Sequence, residues 1–183
     1  MAFMKRNTRI LWITKTASCM ALLIVLQAAT TPLGNTLVTG SLVNLMLILS
    51  VMTGGLSSGL TVAVMSPVLA KFFGIGPLWA IIPLIALGNA VLCLLWHSLG
   101  HSRRLKRRTA YGLALASGAL AKCAVLYLGI VRLAVPLLRL PAPQAAALSG
   151  MFSLPQLFTA VAGGLLAISL LPAIQHALRA KEQ

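Results

Sequence analysis

Residues 78–99 read LWAIIPLIALGNAVLCLLWHSL, and residues 100–109 read GHSRRLKRRT. Twenty-two residues pass without a Lys, Arg, Asp or Glu, and then five cations follow within residues 103–108. A bilayer span needs roughly 20 apolar residues, and Lys and Arg concentrate beside the cytoplasmic ends of spans. The run has no strict alternation, which argues against a barrel strand. A helix satisfies its own backbone in lipid, so the stretch reads as a membrane helix ending at a basic cytoplasmic loop, residues 100–109.

Working outward gives five more apolar runs, at about 10–29, 38–53, 56–73, 111–135 and 151–174. The first is interrupted by Lys15, the second ends at Gly54-Gly55, and the last carries Pro155 near its start. Composition agrees: 59% of the 183 residues are hydrophobic and 9% are charged, where soluble chains carry about 25% charged. The expected fold is one all-α membrane domain over residues 1–183, a six-helix bundle.

Fifteen Lys and Arg face one acid, Glu182, for a net charge of +14. That excludes a carboxylate acid/base pair, a hard-metal cage and a proton relay of Asp or Glu. Nucleic acid is not expected, because the cations sit mainly between apolar runs, where they set topology and touch anionic head groups. With both termini cytoplasmic, Lys5, Arg6, Arg9, Arg103, Arg104, Lys106, Arg107, Arg108, Arg179 and Lys181 lie inside. Lys71, Arg132 and Arg139 lie outside, and Lys15 and Lys122 fall within spans. Two boundaries decide the count. Runs two and three must separate at Gly54–Gly59. Run one must be a retained helix rather than a signal peptide, although Gln27-Ala28-Ala29 resembles a cleavage site. Its loss would leave five spans and put the basic carboxy tail on the wrong side.

No metal site is expected. Cys19, Cys93 and Cys123 lie inside apolar runs and read as small hydrophobes. His97 and His101 have i, i+4 spacing but no third ligand nearby, where metal centres use three or four. No nucleotide, nucleophile-elbow or zincin motif occurs, so the chain is read as no enzyme, with no catalytic residue and no cofactor.

Polar groups inside spans are functional candidates by default. Lys122 is the foremost: it sits mid-run with no acid in any span to pair it. It must contact amides or carbonyls, give up its proton, or meet an anion from outside the chain. A carboxylate or phosphate ligand follows from the last. Lys15 is within snorkelling reach of the cytoplasmic end. Asn44 and Asn89 are mid-span amides, a type that often ties helices together. Gln27, Asn35, Thr39 and Gln156 fall in the outer half and suggest a polar pocket open outward, with Ser117 and Thr159 in the same neutral set. Ala17 and Ala21, four apart, form a small-residue strip on run one, as close helix packing uses.

Several stretches then combine in order: TGSLVN at 39–44, Ser66-Pro67, GIGP at 74–77, PLIALGN at 83–89, Ala121-Lys122 before Leu126-Tyr127-Leu128, and LPQL at 154–157 with Gly163-Gly164. Over nearly the whole chain this resembles the substrate-binding membrane subunits, or S components, of energy-coupling factor (ECF) transporters. The resemblance implies a subunit of the cell membrane that binds a vitamin or similar micronutrient in an outward pocket. It implies as partners a separate coupling transmembrane protein and two cytoplasmic ATPases, with the subunit toppling to release substrate inside. It implies that Ala17 and Ala21 dock the coupling protein. It implies substrate contacts at Asn44, Asn89, Lys122 and Gln156, with Gln27, Asn35 and Thr39. The alternative is a stand-alone small-solute or anion channel or carrier acting as an oligomer. A carrier of that kind usually needs a carboxylate in the membrane, which is missing here.

Overall fold

A computed structural model of the chain describes residues 2–102 and 104–180, with side chains from 9 to 102 and from 104 to 178. Among the described residues there is no strand. Helix α1 covers Ala2–Thr30, α2 Thr36–Gly54, α3 Leu56–Phe72 and α4 Ile82–Gly100. Helix α5 runs over Arg107–Leu126 and continues through a π-helical segment, Tyr127–Ala134, into Val135–Leu137. Helix α6 is Ala142–Met151 and α7 is Leu154–Ala180.

Among the described residues, five segments are long and apolar enough to cross a membrane: Arg9–Leu33, Thr36–Gly54, Trp79–Gly100, Arg107–Leu137 and Ala142–Leu178. The expected third run is a shorter helix, Leu56–Phe72. Its 17 residues extend roughly 25 Å at about 1.5 Å each, a few ångströms short of the ~30 Å hydrocarbon layer. The sixth run begins differently from expectation. Residues 142–151 form a helix of their own, and α7 starts at Leu154 after a break at Phe152-Ser153.

The chain reverses where its sequence permits. Runs two and three do separate, at Gly55, with φ 84° and ψ 177°, a backbone region that is essentially glycine-only. Between α1 and α2, Gly34 takes φ 65°, and Asn35 caps α2 by accepting from the amides of Leu37 at 3.0 Å and Val38 at 3.3 Å. Pro83 stands in the first turn of α4, where its missing N–H costs nothing. Beyond the π-helical segment, Pro136 has no N–H to offer, and α5 ends at the next residue, Leu137.

Helix α2 is the centre of the bundle: every residue from Asn44 to Met52 is buried. Its neighbours come close because they are small there. A Cβ on Gly163 of α7 would lie 2.5 Å from the Ser41 carbonyl oxygen, and one on Gly59 of α3 would lie 2.6 Å from Val51 Cβ. Trp96 fills the middle of the basic half, fully buried beside Tyr111. Large apolar side chains such as Leu22, Val25, Leu87, Leu120 and Leu170 face outward, the arrangement lipid favours and water does not.

Candidate functional site

Three mid-helix side chains from α2, α4 and α5 converge. Lys122 Nζ donates to Asn44 Oδ1 at 2.6 Å and to Asn89 Oδ1 at 2.7 Å. All three are buried, Lys122 with 3% of its surface exposed. These are charge-assisted distances, and they meet the requirement that a buried cation be hydrogen-bonded.

Each carboxamide is aimed by what its nitrogen finds. Asn44 Nδ2 donates to Thr159 Oγ1 at 3.3 Å, and that hydroxyl donates to the Gln156 carbonyl at 3.1 Å. Asn89 Nδ2 makes a long bond, 3.5 Å, to the Ala63 carbonyl in α3. That carbonyl is open because the residue four further on is Pro67, which has no N–H to give it. A helix-interior proline on α3 therefore holds the Asn89 oxygen towards Lys122.

Above this cluster opens a cavity of about 260 Å³, lined by residues of all seven helices, α6 contributing Met151, and by the turns Thr31–Asn35 and Ile75-Gly76. It lies at the end of the bundle opposite the basic loop. From Asn35 at the rim to Asn44 at the base is nine residues of α2, about 13 Å along the axis. Val43, Ile85, Leu126 and Phe152 give it apolar walls. Lys122 is the one charged group in the described lining, which otherwise offers carboxamides, hydroxyls and backbone. Two lining atoms are buried without a partner, Gln27 Oε1 and Ser66 Oγ.

All seven residues singled out from the sequence, Gln27, Asn35, Thr39, Asn44, Asn89, Lys122 and Gln156, line this one cavity. They differ in how free they are. Asn35 Oδ1 is engaged as a helix cap, Thr39 Oγ1 donates to Thr30 Oγ1 at 2.9 Å, and Gln156 Nε2 donates to the Met151 carbonyl at 3.1 Å. Ser117 stays outside the cavity and bonds back to the Leu113 carbonyl of its own helix. Ser66 and Thr159 join the lining without being among the seven. Their signals are modest: Ser66 precedes the proline of α3, and Thr159 lies one turn beyond Gln156.

Ala17 and Ala21 are both exposed on the outer side of α1. The three cysteines are free thiols, Cys93 lying 3.5 Å from the Gly59 carbonyl. The His97 and His101 rings are 4.9 Å apart, and no cluster of three metal-ligating side chains occurs among the described residues. No family model matches the chain, and no curated protein or solved structure matches it either.

Proposed function

We propose that this chain is the substrate-binding membrane subunit of an ECF-type uptake transporter, capturing a small micronutrient from outside and delivering it with a coupling protein and two ATPases. The observation that carries the reading is the cavity, closed at its base by the Lys122–Asn44–Asn89 cluster and facing away from the basic loop. In this reading α3 completes six spans, both termini and the basic loop are cytoplasmic, and the cavity opens outward. Its 260 Å³ is just below the usual range of ligand pockets, about 300–1,000 Å³, which suits one compact molecule. The only acid, Glu182, is in the carboxy tail, so energy for accumulation has to come from partners. The exposed Ala17 and Ala21 give a coupling protein a strip it can approach closely.

Affinity purification of the tagged protein from its native membrane, followed by mass spectrometry, tests this. Recovery of one further polytopic protein with two ATPases is expected, and Ala17→Trp is expected to lose them. A protein that is always solitary, with Ala17→Trp behaving as wild type, would point to a stand-alone carrier or channel, to be followed by flux assays in liposomes.

A further inference from the structure

The base and the mouth of the cavity differ in chemistry, and the difference defines a class of ligand. At the base, Lys122 uses two of its N–H bonds on neutral amide oxygens, which solvate its charge without cancelling it. The third has no acceptor among the described residues. Ser66 Oγ, with Ser66 2% exposed, is also buried without a partner, one turn along α3 from the carbonyl that anchors Asn89. Among the described residues no carboxylate lines the cavity, and there is no second cation. At the mouth, the unpaired atom is Gln27 Oε1, which accepts and cannot donate. The wall between is largely apolar.

We infer that the ligand is a small monoanion, a carboxylate, which enters charge-first. Its carboxylate takes the third Lys122 N–H and the Ser66 hydroxyl. Its uncharged body fills the apolar middle, and an N–H or O–H at its far end donates to Gln27. A cationic ligand meets an ammonium with no acid to offset it. A dianion, such as a phosphate ester or a dicarboxylate, leaves one charge buried without a cation, which is costly. A neutral ligand leaves the net charge of Lys122 uncancelled. This inference takes the cavity to be the ligand site of the uptake reading, yet its test does not depend on the partners.

The full-length protein in nanodiscs of neutral lipid is titrated with pentanoate, with pentanamide, its uncharged counterpart, and with glutarate, which carries a second carboxylate. The readout is the thermal unfolding midpoint, which a ligand of the folded state raises with concentration. Pentanoate is expected to raise it saturably, with glutarate at least ~10-fold weaker and pentanamide without effect, as an uncancelled or surplus buried charge requires. Equal responses to pentanoate and pentanamide, whether present or absent, overturn the inference, as does glutarate binding as well as pentanoate. Lys122→Gln is expected to abolish the pentanoate response. If that variant does not fold, the wild-type comparison decides alone. Co-purification separates the two proposals. Wild type that distinguishes pentanoate from pentanamide yet recovers no coupling partner keeps the anion class and sinks the uptake reading. Wild type that recovers the partner but fails to distinguish them does the reverse.

Discussion

At the scale of single residues, Lys122 and its two asparagines form one interdependent unit. Hydrogen bonds to charged groups are worth about 1.5–3 kcal/mol each, and stranding a buried charge costs more than a neutral loss. Asn89→Leu is therefore expected to lower stability by about 2–3 kcal/mol, read as the unfolding midpoint in denaturant titration. Asn89→Leu with Lys122→Met should cost less than the sum of the two singles, because the second change removes the charge that the first leaves unmet. Additive costs would mean that the 2.7 Å bond carries no coupling. The importance of Lys122 was legible in the sequence because no span contains an acid. Its answer, two carboxamides from other helices, was not: Asn44 and Asn89 stood out individually, but spacing along a chain does not say which helices touch. Ser66 was harder still, since a serine inside a helix usually bonds back to its own turn, and only packing reveals that this one does not.

At the scale of elements, the glycines and prolines do the positioning. Gly55 has nothing within 4 Å of where a Cβ would be, so Gly55→Ala is not a steric problem. Its φ of 84° with ψ of 177° is the difficulty, and the substitution is expected to cost about 1–3 kcal/mol of stability. A stability unchanged within error would mean that the α2–α3 turn relaxes freely. Gly163 is the opposite case, with ordinary helical φ and no room. Gly163→Val should push α7 from α2 and displace Asn44, losing pentanoate binding along with stability. Pro67→Ala separates positioning from bulk. It restores an amide that competes with Asn89 for the Ala63 carbonyl. Hydrogen exchange should show a protected amide at position 67, together with several-fold weaker pentanoate binding. A protected amide with full binding would show that Asn89 is held without the proline. Most helices were readable from apolar runs, whereas α6 was not, because residues 142–150 fall between the runs read at 111–135 and 151–174 and carry Pro143, Gln144 and Ser149 among their alanines.

At the scale of the molecule, the cavity and the basic loop occupy opposite ends. In a background lacking Cys19, Cys93 and Cys123, Gly34→Cys and Gly76→Cys are each expected to react with an impermeant thiol reagent applied outside intact cells. Ser102→Cys should react only after permeabilisation. The reverse pattern would invert the topology and turn the cavity inward. Charge placement alone predicts this orientation, since ten of the cations fall in the two tails and the one basic loop. The depth of the cavity was not legible, because a run of apolar residues reads the same whether it faces lipid or a ligand.

The order of the lysine and its acceptors along the chain bears on how the protein is made. A lysine at the centre of a helix opposes insertion by about 2.5–3.5 kcal/mol on the translocon scale. Asn44 and Asn89 both precede Lys122, so α2 and α4 have left the ribosome before α5 presents its ammonium to the bilayer. The acceptors are then at hand when the cost arises. Had the lysine been on α2 and the amides on α4 and α5, the charge would have waited through two further helices for its partners. The bonds that close the base of the cavity thus give α5 a reason to stay in the membrane during synthesis.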